Sequence, residues 1–211
     1  MFLVTALGFV GTILFVLLLA LLTRNTSQLS RVSGIESVEY LYNLSQTRSS
    51  DNLATIDLGR RWPAITLSHH LTSGRMIVVD VYNPQLMPSK SLLRARRQHY
   101  PAALSDPRLT WYDSNLDLLP LPDRSVSAVF LYHVLSEISE KGDQKALLEE
   151  IFRILEPNGR LLVAEFSNNL VNRLQSGLGV THTKPIDYWH ALLKETGFEF
   201  QRTQTLHGAI L

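Results

Sequence analysis

The 211-residue sequence contains no cysteine. That removes disulfides, thiolate metal sites and a cysteine nucleophile from consideration. It also lacks an excess of either charge, with 20 Lys and Arg against 19 Asp and Glu and a net charge of +1. A chain so nearly balanced has no strong basic field, so no nucleic-acid partner is expected. The seven histidines are scattered: His69 and His70 are adjacent on a predicted helix and point apart, and His182 and His190 fit no ligand spacing. No metal is expected. There is no nucleophile elbow, no Walker loop, no dinucleotide fingerprint and no internal repeat.

Charge is missing altogether from Phe2–Thr23 (FLVTALGFVGTILFVLLLALLT), 22 residues without an ionisable side chain. As a helix this run is about 33 Å long, enough to cross a hydrocarbon core of roughly 30 Å. It has no basic residue before it and no small-x-small cleavage site after it, which argues against a secretory signal. The reading is a single transmembrane helix over residues 1–23. Arg24 and Arg31 follow it, so the C-terminal part is expected on the cytoplasmic side of a membrane. Thr5, Gly8 and Gly11 offer a small-residue side for other transmembrane subunits, although the same spacing is compatible with plain lipid exposure. Residues 24–52 read as a polar juxtamembrane linker and a short leading helix, Ile35–Leu44, packed on the domain.

From residue 53 to 211 apolar strands alternate with amphipathic helices, the pattern of a doubly wound α/β domain. Expected strands are Leu53–Leu58, Arg75–Val79, Leu109–Tyr112, Ser127–Tyr132, Arg160–Phe166, Phe198–Thr203 and Thr205–Leu211. Expected helices are Trp62–Leu71, Gln85–His99, a stretch through Ala146–Leu155, and Pro185–Thr196, the last with Pro in its first turn and Gly197 beyond its end. Lys90–Arg97 (KSLLRARR) adds a basic helix face, either simply solvated or in contact with anionic lipid headgroups.

The wording of Leu119–Phe166 is informative. Leu119-Pro120-Leu121-Pro122-Asp123, then Val134-Leu135-Ser136-Glu137-Ile138, then Glu150-Ile151-Phe152-Arg153-Ile154-Leu155-Glu156-Pro157-Asn158-Gly159 follow one another in order. This resembles the second half of class I S-adenosylmethionine (SAM)-dependent methyltransferases of the small-molecule type, the type 11 methyltransferase domain. The resemblance covers about Leu53 to Leu211. It implies a Rossmann-like, doubly wound seven-stranded sheet with its last strand antiparallel, SAM as cofactor, and a small or lipid-soluble molecule as methyl acceptor.

The resemblance also places the site. The family's D-x-G-x-G-x-G loop corresponds to Asp57-Leu58-Gly59-Arg60-Arg61-Trp62-Pro63, which keeps Asp57 and Gly59 but has Arg61 and Pro63 for the other two glycines. Asp80 stands where the family's acid accepts the ribose hydroxyls, a task that suits a two-oxygen acceptor. Asp113 stands where an acid meets the adenine amino group. Asp57, Gly59, Asp80 and Asp113 are therefore the candidate cofactor-binding residues, and each Asp has the alternative role of capping a turn. After the fourth strand, Tyr132, His133 and Glu137 face the acceptor region, with His133 as candidate general base or structural hydrogen-bonding residue. Glu165 is a carboxylate on the rim, and Ser127 replaces a familiar acid. Two outcomes follow from the broken loop. Either it swings and SAM binds, or Arg61 or Trp62 fills the space above Gly59, pairs with Asp80 or Asp57, and leaves a catalytically silent pseudoenzyme acting as an accessory subunit of a membrane complex.

Overall fold

Three strands with mostly apolar, buried interiors form the middle of the molecule. In the computed structural model, which describes residues 34–97, 106–166, 184–206 and 209–210, these are β1 (Asn52–Asp57), β2 (Arg75–Asp80) and β4 (Val126–Tyr132). Strands buried on both faces need no polar alternation, and the run VSAVFLY shows none. With β3 (Leu109–Asp113) and β5 (Leu155–Phe166) they make a parallel sheet in the order β3-β2-β1-β4-β5. The order reverses between β1 and β4, and such a switch point opens a crevice at the carboxyl ends of the strands.

Helices cover both faces. A helix over residues 34–45 (α1) packs Val38 and Leu41 against Leu53, Met76, Val78 and Phe130, together with Ala64 and Leu67 of α2 (Trp62–Ser68). On the other face lie α3 (Lys90–Arg97), α4 (Lys141–Ile154) and α5 (Ile186–Glu195), through Leu92, Leu147, Ile151, Trp189 and Leu192. The leading helix thus packs on the domain core, and the compact unit begins at Ser37.

Several boundaries differ from expectation for local reasons. Helix α3 starts at Lys90 rather than Gln85, because Pro88 cannot donate within a helix and Ser89 caps the new start through its hydroxyl to the Leu92 amide (3.3 Å). Pro157-Asn158-Gly159 does not end strand pairing: Leu155 already pairs with Val126, and Arg160 with Ala128, so the turn is a bulge with Asn158 at φ 67°. The strand expected at Phe198–Thr203 does not form. Its residues from Glu199 onward are exposed, and its aromatics meet rings instead, Phe198 on Phe152 and Phe200 on His190. The single strand expected over Thr205–Leu211 is two two-residue strands, β6 (Thr205–Leu206) and β7 (Ala209–Ile210), with β7 antiparallel to β5. Among the described residues no helix is long and apolar enough to cross a membrane. The apolar run Phe2–Thr23 lies outside the described residues.

The Glu150/Arg153 part of the motif ties α4 to the chain before β4. Arg153 donates to the carbonyls of Leu121 (2.9 Å) and Leu119 (3.1 Å), to Asp123 (2.6 Å) and to Glu150. Glu150 in turn accepts the Leu119 amide at 2.8 Å, and its bond to Arg153 holds its carboxyl below the usual range. Arg153→Ala takes the guanidinium from the Leu121 carbonyl and leaves the shielded Glu150 carboxylate with the Leu119 amide alone. The expected loss is about 2 kcal/mol, read from the urea midpoint at constant m-value.

Candidate functional site

The parallel register brings three carboxylates side by side. Asp57 pairs with Asp80, and Asp80 with Asp113, so the ends of β1, β2 and β3 each present an acid at the same level. Strands lie about 4.8 Å apart, and like charges so close need cations or hydrogen-bond donors. Each acid is provided for differently.

Asp57 serves its own loop. It is 6% exposed and accepts the amides of Arg60 (3.2 Å) and Arg61 (2.8 Å), closing the turn that leads into α2. Burial raises its carboxyl above the usual range, opposed by the Arg61 amide and reinforced by the neighbouring Asp80. Asp80 accepts the Tyr82 amide at 3.0 Å, and both of its oxygens lie within 2.9 Å of Arg96 Nη1. The Arg96 guanidinium also sits 4.1 Å from the centre of the Tyr82 ring. Asp113 is exposed at the rim.

Arg96 is the residue that decides the site. Gly59 has φ +78°, and a Cβ placed there would lie 2.3 Å from Arg96 Nη1 and 2.6 Å from its Cζ. The open face that glycine provides is therefore filled by the guanidinium of an arginine from α3. The space above Gly59 is occupied, but not by Arg61 or Trp62 as the sequence led us to expect. Arg61 is the residue preceding α2 and has φ 61°, an arrangement that turns its guanidinium to 5.7 Å from the centre of the Trp111 ring. Among the described residues it forms no ion pair. Trp62 packs edge-on against Tyr132 with centroids 5.0 Å apart. Losing the Arg61 side chain should therefore cost little. Arg61→Gly keeps the amide that Asp57 holds and relieves a positive φ, so it is expected to be neutral or to stabilise by up to about 1 kcal/mol in thermal unfolding.

A second pair crosses the crevice between β1 and β4. Arg60 Nη2 donates to Glu137 Oε1 at 2.9 Å, both side chains being 14% exposed. The Arg60 charge points inward toward Tyr132, His133 and Glu165. Burial, then Arg60, pushes the His133 imidazole well below its ordinary value, so it is neutral and only weakly basic, unlike a base poised near pH 7. Burial raises the Tyr132 hydroxyl to about 12. Glu165 is 1% exposed and accepts the amides of Val134 (3.1 Å) and Leu135 (2.8 Å), yet burial pushes its carboxyl up to about 7.

What remains of the cleft is a cavity of about 120 Å³ lined by Asp57, Arg61, Asp80, Trp111, Tyr112 and Asp113. Three of the four cofactor residues expected from sequence meet here, while His133 and Glu165 are not among its lining. Ligand sites usually run from about 300 to 1,000 Å³. With Gly59 covered and Asp80 engaged by Arg96, SAM does not fit this arrangement. The retained parts are the row of acids and Trp111, whose Nε1 is buried without a hydrogen bond among the described residues. Sequence reasoning missed Arg96 and Trp111. The available signal was spacing: Arg96 is four residues after the apolar Leu92, which puts both on one side of α3.

Comparison with known proteins gives a consistent picture. Residues 63–163 match the family described as a methyltransferase domain. A Pasteurella multocida protein named ubiquinone/menaquinone biosynthesis C-methyltransferase UbiE is 31% identical over 102 residues, 48% of this chain and 34% of the relative. Its Yersinia pestis counterpart is 32% identical over 101 residues, 48% of this chain and 36% of the relative. The chain thus spans about a third of the length of the curated relatives it matches. Among solved structures, a SAM-dependent methyltransferase from Aquifex aeolicus superposes with a TM-score of 0.67 at 16% identity, over 88% of this chain and 93% of that one. Phosphoethanolamine N-methyltransferase 2 of Haemonchus contortus, solved with SAM, superposes with a TM-score of 0.57 at 17% identity, over 80% and 38%.

Proposed function

We propose that this chain, which belongs to the class I SAM-dependent methyltransferase family, is a methyltransferase-like protein whose cofactor cleft is latched by Arg96. In the latched state it is catalytically silent. The observation that carries this reading is the Arg96 guanidinium, seated over Gly59 and spending Asp80 on itself. The same reading has the sheet completed to seven strands by β6 and β7, and residues 2–23 as a single-pass membrane helix. The domain then sits on the cytoplasmic side, as an accessory or assembly subunit beside other transmembrane subunits. Support for the anchor is the uncharged run of 22 residues.

A second reading, methyl transfer from SAM to a small or lipid-soluble acceptor, is favoured by the acids kept in register and by the Trp111-lined cavity. The names of the curated relatives point this reading toward a quinone-like ring as acceptor. Methyl transfer asks little of side chains beyond alignment, so the weak basicity of His133 does not count against it. Calorimetry of the full chain with SAM separates the two readings. The latched reading expects no heat at millimolar SAM, whereas micromolar binding that Asp80→Ala abolishes would replace it with the enzyme.

A further inference from the structure

We infer that the outer face of α3 is a docking surface for the anionic headgroups of a membrane. This rests on the proposal above that the chain is held at a membrane. In eight residues, KSLLRARR carries four cations and no acid, whereas α4 and α5 mix both signs. At about 100° per residue the helix divides into two sides. Leu92, fully buried, and Arg96, engaged with Asp80, share the inner side. Lys90, Arg94 and Arg97 share the outer side with Leu93, and all four are exposed, Leu93 by 39%.

Among the described residues none of the three outer cations has an ion-pair partner, although the acids elsewhere on the surface hold Lys141, Lys145 and Arg153 in pairs. A face of three unpaired cations around one leucine matches a surface of phosphate and carboxylate groups. The long stems and Leu93 settle toward the acyl boundary while the charges stay with the headgroups. Each basic residue near such a leaflet raises binding about fivefold, so three together are worth roughly a hundredfold. Arg96 holds the latch and four of the other seven residues face outward, so the surface and the latch share one short rigid element.

The test uses the absence of cysteine. Leu93→Cys gives the full chain a unique thiol for a spin label, and Glu199→Cys places a control label on another exposed position. The chain is reconstituted into lipid discs of phosphatidylcholine, with and without phosphatidylserine. The expected result is that the Leu93 label enters the headgroup region only when phosphatidylserine is present. The Glu199 label should stay in water, and high salt or the combined Lys90→Gln, Arg94→Gln and Arg97→Gln substitutions should lower the docked-to-undocked ratio by about a hundredfold. A Leu93 label equally exposed in both lipids, or two labels that shift alike, overturns the inference. A chain that stays out of every disc refutes the anchor instead. Its Leu93 label is then read on phosphatidylserine vesicles, where contact supports the docking surface and none overturns it.

Discussion

Glu165→Gln is expected to leave stability unchanged near pH 4.5 and to raise it by about 3 kcal/mol at pH 8. Burial holds the folded carboxyl at about 7, against 4.5 for the free group. The folded state therefore binds the proton more tightly than the unfolded chain. The resulting stability is fully present below pH 4.5 and is lost as pH rises through 7. Glutamine has no proton to lose, and its side-chain oxygen still accepts the Val134 and Leu135 amides that Glu165 accepts now. Asp57, also raised by burial, adds a loss of the same sign, whereas the depressed His133 adds stability that disappears as pH falls below its ordinary value. Both groups are common to the two proteins and cancel in their difference. Thermal unfolding at the two pH values should show roughly a 5–10 °C gap at pH 8 and none at pH 4.5. A wild type as stable as the variant at pH 8 would mean that the buried carboxylate is held by Arg60 more strongly than burial opposes it.

Legibility in the sequence followed how local each determinant is. The strands β1, β2 and β4 were readable because burial on both faces leaves mostly apolar runs with no regular polar alternation. Helix α5 was readable from Pro185 and Gly197, which act within one turn of its ends. The FEFQRT stretch at 198–203 looks like a strand by alternation, but strand formation depends on a partner edge, and its phenylalanines found rings on α4 and α5 instead. In the cleft, one of the two outcomes read from the sequence put Arg61 or Trp62 above Gly59, and Arg96 stands there instead. That Arg61 lies over Trp111 rather than over Gly59 depends on a positive φ that no residue type announces. The arrival of Arg96 from a helix 37 positions beyond Gly59 is a tertiary fact. The three acids end adjacent strands in register, but their present partners, two loop amides for Asp57 and a guanidinium for Asp80, became visible only with the fold.

Removing the latch should have the largest functional effect. Arg96 and Asp80 are 27% and 16% exposed, so their pair is partly screened, and a charge-assisted contact of this kind contributes roughly 2 kcal/mol. A ligand that needs the open cleft binds more weakly by the fraction of time the cleft is open. Arg96→Ala frees both oxygens of Asp80 and the face of Gly59, while leaving Leu92 and the core contact of α3 in place. SAM affinity should then rise at least about thirtyfold. The measurement is a calorimetric titration of the full chain with SAM, wild type and Arg96→Ala side by side. A latched cleft gives no heat in the wild type at millimolar SAM and a saturating isotherm in the variant, whereas equal affinity in the two proteins would contradict the latch.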